Sequence, residues 1–271
     1  MGKGVIEAFL WSPRWTLFRR SVGMMNARPP PSRMPPLSYA PLERLSVPRP
    51  VDRITYMARA CKGLRVLDLG AMDETAWTAK RGRGTWLHEE ISRYALRVDG
   101  IDISALVPAE GLATGPNATI RRGDITDPVR LLALLGYDID VIVAGELIEH
   151  LANPLEFLKA FAGIDRLSGR TLILSTPNAT ALHNVLIGLA RRESTHHDHL
   201  CILSYKTLTT LCSRAGFSDW EIIPYFARFT EMQERHSGLA GAAVRAAQRL
   251  VNWIEWMFPL LSFGYLVRIR L

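Results

Sequence analysis

Glu146, Glu149 and His150 are the side chains best placed to do chemistry in this 271-residue chain. They lie in Asp140-Val-Ile-Val-Ala-Gly-Glu-Leu-Ile-Glu-His-Leu-Ala-Asn-Pro154. On a helical turn, positions i, i+3 and i+4 share one face, so two carboxylates and an imidazole would converge. Residues 139–144 form an apolar run of the kind that makes a buried strand. Asn153-Pro154 reads as a helix N-cap followed by proline at the first helical position. The three side chains would therefore stand just past the carboxyl end of a buried strand, where open α/β sheets place ligands. A site of this kind can hold a ligand and, through His150 and Glu149, move a proton. The competing reading is a solvated first turn whose acids complement the helix dipole.

The length suits an N-terminal extension with a proline-rich linker, residues 1–50, followed by one large domain, residues 51–271. A hydrophobic content of 48% is enough for a core. Cys61, Cys201 and Cys212 have neither a metal-site spacing nor a disulfide framework, which points to a reducing, cytoplasmic setting. The net charge of +7 permits anionic partners without requiring them. Nothing in the sequence reads as a secretory signal, a myristoylation site or a transmembrane helix. Residues 1–27 have the pattern of a short basic amphipathic helix, with Phe9, Trp11, Trp15 and Phe18 beside Arg14, Arg19 and Arg20. It suits membrane-peripheral docking, packing on the domain, or an arm exchanged in a homodimer. Residues 28–50 hold eight of the sixteen prolines and read as an extended linker.

The elements that would position the acid-acid-histidine turn follow from periodicity. Strands are expected at 65–70, 97–104, 118–121, 139–144, 170–175, 220–225 and 263–271. Helices are expected at 52–60, 86–95, 129–135, 155–167, 205–215 and 239–258. In the last of these, Val244, Ala247, Val251, Ile254 and Phe258 oppose Arg245, Arg249 and Asn252. Alternation of strands and helices predicts an α/β, Rossmann-like, doubly wound sheet.

The first strand ends on Asp68 and Gly70, and the second ends on Asp102. That is a nucleotide-binding layout, in which a glycine admits the ligand close to the backbone and the second acid accepts ribose hydroxyls. The usual interval is about twenty residues, whereas Gly70 and Asp102 lie further apart. Gly82-Arg83-Gly84 lies near the usual interval and is a second candidate for close approach. Glycines that merely serve turns are the alternative.

The succession Val-Leu-Asp-Leu-Gly70, Gly-Ile-Asp-Ile-Ser104, Gly-Asp-Ile-Thr126, the stretch around Glu146 to Leu151, and Ser-Thr-Pro-Asn178 resembles the class I S-adenosylmethionine-dependent methyltransferases. The resemblance covers about residues 52–225 and extends to 263–271. It implies a seven-stranded sheet, mostly parallel with the last strand antiparallel, and a C-terminal helical insertion. It implies that Asp68 and Gly70 border the methionine part of the cofactor, that Asp102 holds the ribose, and that Asp124 and Ile125 flank the adenine. Ile103 and Gly145 complete the expected cofactor-binding set. The sequence departs from the family pattern at Met72, where a second glycine is usual.

Within that family, the Glu-Leu-Ile-Glu-His and Ser-Thr-Pro-Asn segments are most similar to the ubiquinone-biosynthesis O-methyltransferases. They also resemble the small-RNA 3′-terminal 2′-O-methyltransferases. The resemblance implies a divalent metal, Mg²⁺, Mn²⁺ or Fe²⁺, held by Glu146, Glu149, His150 and a later histidine. That histidine is His199, with His196 as the next choice. A histidine that ligates metal cannot also take the acceptor's proton on the same nitrogen, so a metal role and a general-base role compete at His150.

Three functions follow as expectations. One is O-methylation of a hydroxyl on a small molecule or glycan, one of a vicinal pair. Another is 2′-O-methylation of RNA, although no added RNA-binding module or aromatic-basic stripe is present. The third is a non-catalytic, methyltransferase-like binding protein. Trp86 and His88 are weaker candidates for lining the pocket, Trp86 being equally suited to the core. Tyr225, Phe226 and Phe229 are expected to shape the acceptor side. The 239–258 helix could cap the site, meet a membrane interface, or pack on the sheet or a partner copy.

Overall fold

The computed structural model describes residues 42–73, 77–128, 132 and 138–271. The segment 1–27, most of the proline-rich stretch and nearly all of the helix expected at 129–135 lie outside these residues.

The apolar, β-branched runs of the sequence become neighbouring strands. Arg65–Leu69 (β1), Arg97–Asp102 (β2), Ala118–Arg122 (β4), Val141–Gly145 (β5) and Thr171–Pro177 (β6) are joined in parallel. Gly264–Arg270 (β8) runs antiparallel between β6 and Trp220–Tyr225 (β7). Leu112–Gly115 (β3) adds an eighth, antiparallel strand at the outer edge, giving the order β3-β4-β2-β1-β5-β6-β8-β7. The seven expected strands are all present. The extra one was hidden in the sequence because Leu-Ala-Thr-Gly is short and only partly buried.

Alternation along the strands divides the core into two faces. Leu67, Leu69, Ile142, Ala144, Leu172 and Leu174 pack with Phe157, Leu158, Phe161 and Leu208. These last come from Pro154–Ala162 (α4) and Tyr205–Arg214 (α6), named in chain order after Arg53–Ala60 (α1), Trp77–Lys80 (α2), Leu87–Ser92 (α3) and Leu182–Leu189 (α5, between them). Val66, Val98, Val141, Val143 and Ile173 pack on the other side with Met57 and Ala58 of α1 and Ile91 of α3. α4 starts as its sequence dictates: Asn153 Oδ1 accepts from the Glu156 amide at 3.1 Å, with Pro154 in the first turn.

Two helices complete the described chain, Thr230–Arg235 (α7) and Gly238–Met257 (α8). α8 differs from expectation. Val244, Val251 and Ile254 are only half-buried, and Ala247 and Phe258 are exposed. Gln248 and Glu255 point inward, because the loop beneath the helix offers unpaired backbone groups rather than an apolar surface.

Candidate functional site

Parallel register brings the expected cofactor positions to one edge of the sheet. Leu69 of β1 lies opposite Ile101 of β2 and Ala144 of β5, so Gly70, Asp102 and Gly145 follow side by side at the carboxyl ends. Gly70 turns away from the strand at a φ of 71°, a conformation that favours glycine, with the Leu147 side chain 3.0 Å from where a Cβ would stand.

Asp102 is fixed by backbone amides. Its two carboxylate oxygens accept from Met72 N at 2.8 Å and Ser104 N at 2.9 Å. Ile103, beside it, is 70% exposed. A half-buried carboxylate held by amides next to an exposed apolar side chain matches the chemistry of a ribose diol carrying a flat base. Across the edge, Asp124 accepts from the amide and hydroxyl of Thr126, which hold its carboxyl below the usual range. Ile125 is partly buried against the core.

Asp68 is buried and faces inward. Its Oδ2 lies 2.9 Å from His88 Nδ1, and His88 Nε2 lies 2.9 Å from Thr114 Oγ1. This buried chain ties β1 to α3 and to the edge strand β3. Trp86 is also in the core, its indole N–H donating to the Ala71 carbonyl at 3.0 Å. Met72, the departure from the glycine pattern, is fully buried. Gly82 and Gly84 both adopt positive φ, and a Cβ at Gly82 would meet open space. They serve a left-handed turn there.

The acid-acid-histidine segment does not form one helical face. Ile148–His150 is a single 3₁₀ turn, and Glu146 precedes it with a φ of 51°. Its amide donates to the carbonyl and hydroxyl of Ser175, which fixes the left-handed conformation. The Glu146 side chain consequently turns toward β6 and β7. Its Oε1 accepts from Ser175 Oγ at 2.8 Å and from the Tyr225 hydroxyl at 2.9 Å, with Arg53 Nη1 at 3.8 Å. Burial and the adjacent Glu146 hold the Tyr225 phenol well above its ordinary value, so it remains a donor. Glu146, Tyr225, Phe226 and Phe229 line a cavity of about 620 Å³ together with Arg53 and Lys80.

Glu149 and His150 meet His199. Ligand atoms of these three residues all lie within 4.8 Å of one another. The contact is made by backbone: the Glu149 carbonyl accepts from Leu200 N at 2.8 Å and Cys201 N at 3.2 Å. Both Glu149 carboxylate oxygens and His199 Nδ1 are buried without a hydrogen-bond partner. Burial, reinforced by the neighbouring charge of Glu146, pushes the Glu149 carboxyl up to about 8. Burial and the adjacent His150 and His196 lower His199, which favours its neutral, ligating form. Buried ligand atoms of this kind with no partner are what a divalent cation satisfies, and a carboxylate with two imidazoles suits Fe²⁺ or Mn²⁺ better than Mg²⁺, which prefers oxygen ligands. Glu146 lies outside this close group. His196, His197 and Asp198 form a separate exposed cluster.

Cys61 and Cys212 are buried, and burial pushes both thiols up to about 12, so neither supplies a thiolate. Among the described residues, no helix is long and apolar enough to cross a membrane.

Sequence reasoning missed Arg53, Ser175 and the Asp68–His88 link. The arginine sits in a helix with an ordinary amphipathic pattern. The serine opens the Ser-Thr-Pro-Asn178 segment, but nothing in that motif announces its bonds to Glu146.

Comparison with known proteins places the chain among relatives of several kinds. A small RNA 2′-O-methyltransferase from Caenorhabditis elegans is 31% identical over 135 residues, covering 48% of this chain and 29% of the relative. The chain thus spans less than a third of that curated relative. A S-adenosylmethionine-dependent methyltransferase structure from Archaeoglobus fulgidus is 18% identical, with a TM-score of 0.47, over 81% of this chain and 90% of the other. The structure of the small RNA methyltransferase HEN1 is 16% identical, with a TM-score of 0.49, over 86% of this chain and 27% of the other. The family described as "Methyltransferase domain" matches residues 42–222. The chain belongs to that family of methyltransferase domains.

Proposed function

We propose that this enzyme methylates one oxygen of a vicinal pair of hydroxyls on a small molecule or glycan, at a site built from Glu149, His150 and His199. The observation that carries the reading is the convergence of these three side chains, with both Glu149 oxygens and His199 Nδ1 buried and unpartnered.

The cofactor's ribose is assigned to Asp102, its adenine to the space between Ile103 and Ile125, and its methionine part to the edge formed by Gly70 and Gly145. The buried Asp68 supports that edge through His88 and does not itself reach the ligand. Methyl transfer needs an acceptor oxygen aligned with the sulfonium carbon, close and dry. The turn after β5 stands beside the donor edge and supplies that second half.

Glu149, His150 and His199 would hold a divalent ion, and Glu146 adjoins them with Oε2 outside its bonds to Ser175 and Tyr225. The chemistry such an ion supplies when bound is a lowered hydroxyl pKa and a grip on neighbouring oxygens. In the arrangement without metal, His150 takes the acceptor's proton as general base, with the Glu149 carboxyl close to the ring. Tyr225, Phe226 and Phe229 exclude water from the acceptor side.

A second reading, methylation of the terminal ribose of an RNA, is favoured by the relative named as a small RNA 2′-O-methyltransferase. The two are separated by following labelled methyl groups from S-adenosylmethionine to a catechol and to an RNA oligonucleotide ending in a free diol. Each is assayed with chelator, with Mn²⁺ restored, and with the 2′-deoxy or mono-hydroxy analogue. Transfer to catechol that chelator abolishes and Mn²⁺ restores supports the first reading. Transfer to RNA alone supports the second. Full activity in chelator overturns the metal assignment in favour of His150 as base.

A further inference from the structure

α8 is amphipathic in the reverse sense for a helix on a soluble domain. Gly241, Gln248 and Glu255, seven residues apart, face inward. Gln248 Nε2 donates to the Ala227 carbonyl at 2.7 Å, and its Oε1 accepts from Phe229 N at 2.6 Å. Glu255 is buried and accepts from Ala227 N at 3.1 Å. On the opposite side stand Leu239, Leu250, Trp253 and Met257, whose spacing puts them on one helical face. All four are exposed, Leu239 by 92% and Trp253 by 57%. A helix in water normally buries that stripe.

α5 repeats the pattern. Val185, Leu186 and Leu189 are all exposed, and no residue of the helix is buried. The chain entering α5 meets the segment that follows α8. The Asn178 side chain donates to the carbonyls of Leu260 and Ser262 at 2.9 and 2.8 Å, and the Thr180 hydroxyl donates to Leu260 at 2.8 Å. His183 stacks on Phe263 with 4.8 Å between ring centres.

Charge selects among occupants. Across residues 179–192 and 236–262 the only acid is Glu255, which is buried. The exposed ionic side chains are Arg191, Arg192, Arg245 and Arg249. Arg49 adds a cation over the Trp256 ring, 4.1 Å from its centre. A symmetric contact with a second copy would bring these arginines toward one another. An anionic surface with an apolar interior accepts both features: arginines at the headgroups, tryptophans and aliphatics below them.

We propose that the outward faces of α5 and α8 form a docking surface for an anionic lipid bilayer. The contact is peripheral, since the helices lie on the surface and neither is built to span it. This inference is independent of the identity of the methyl acceptor.

The test is flotation of the full chain with two kinds of vesicle, pure phosphatidylcholine and phosphatidylcholine mixed with phosphatidylglycerol. The unmodified protein should float with the mixed vesicles, and added salt should weaken binding. Arg245→Gln with Arg249→Gln should lower partitioning by roughly 25-fold, since each cation near such a surface contributes about fivefold. Leu250→Ser with Trp253→Ser should lower it at least as far. Unchanged cofactor affinity and thermal melting in the same variants show that the fold is intact. Failure to bind either vesicle at low salt overturns the proposal, as does binding that these variants leave unchanged. Concentration-dependent dimerisation in sedimentation, lost in Leu250→Ser with Trp253→Ser and without vesicle binding, overturns it in favour of a second copy.

Discussion

His150 and His199 stand edge to face, their ring centres 4.6 Å apart and their planes at 84°. The contact spans two distant parts of the chain, and the amides of Leu200 and Cys201 on the Glu149 carbonyl hold it in place. The backbone thus fixes where the second imidazole stands before any ligand arrives. Such preorganisation matters in a metal or acid-base site, where a loose first shell forfeits most of its effect.

Metal uptake should release protons. A Glu149 carboxyl pushed up to about 8 is mostly protonated near neutral pH, and it must lose its proton to ligate. Titration calorimetry with Mn²⁺ near pH 7, in buffers of different ionisation enthalpy, should report close to one proton released. Glu149→Gln should abolish the release and weaken binding at least tenfold. Proton-neutral binding by the unmodified protein would contradict the assignment of Glu149 as a ligand.

Asp102→Ala should weaken S-adenosylmethionine binding by roughly 1–3 kcal/mol, the cost of a lost buried acceptor. The effect includes loosening of the loop at Met72, whose amide the carboxylate accepts. Asp102→Asn, which keeps one acceptor oxygen, should lose less. Equal affinity in all three proteins, measured by calorimetry, would refute the ribose role.

Glu255 gives stability a pH dependence. Burial raises its carboxyl from the ordinary 4.5 to about 7. Because the folded value lies above the unfolded one, this contribution is complete below about pH 4.5 and is lost as pH rises through about 7. Glu255→Gln should therefore melt higher than the unmodified protein above pH 7 and at nearly the same temperature in acid. Thermal melts across that window check the sign.

Gly100→Ala should destabilise the fold by roughly 1–3 kcal/mol, the usual cost of overpacking. The added Cβ would stand 2.8 Å from Ala71 Cβ, 2.9 Å from Ile120 Cγ1 and 3.0 Å from His88 Cε1. These neighbours lie in packed elements and have little room to give. Denaturant unfolding measures the loss, and an unchanged midpoint would mean that α3 is less tightly seated than its contacts indicate.

His88→Ala should cost at least roughly 1–3 kcal/mol, because it leaves the Asp68 carboxylate buried without its partner. Asp68→Asn with His88 retained should cost less, since an amide oxygen can still meet the ring nitrogen. The comparison separates a charge effect from lost packing in the same unfolding experiment.

The sequence by itself determined the sheet and its ligand edge. Hydrophobic period, a capping asparagine and Pro154 mark the strands and α4, and parallel register then necessarily aligns Gly70, Asp102 and Gly145. Local preference and burial agree at those positions, so pattern suffices. Tertiary structure decided which way the functional side chains turn. Glu146 departs from the helical face because Ser175, from another strand, takes its amide and forces a left-handed backbone. Asp68 turns inward because His88 waits in the core, and α8 turns its polar side inward because the loop at Ala227 needs partners. Each of these outcomes depends on a hydrogen-bonding group far away in sequence, and periodicity along one segment carries no record of it.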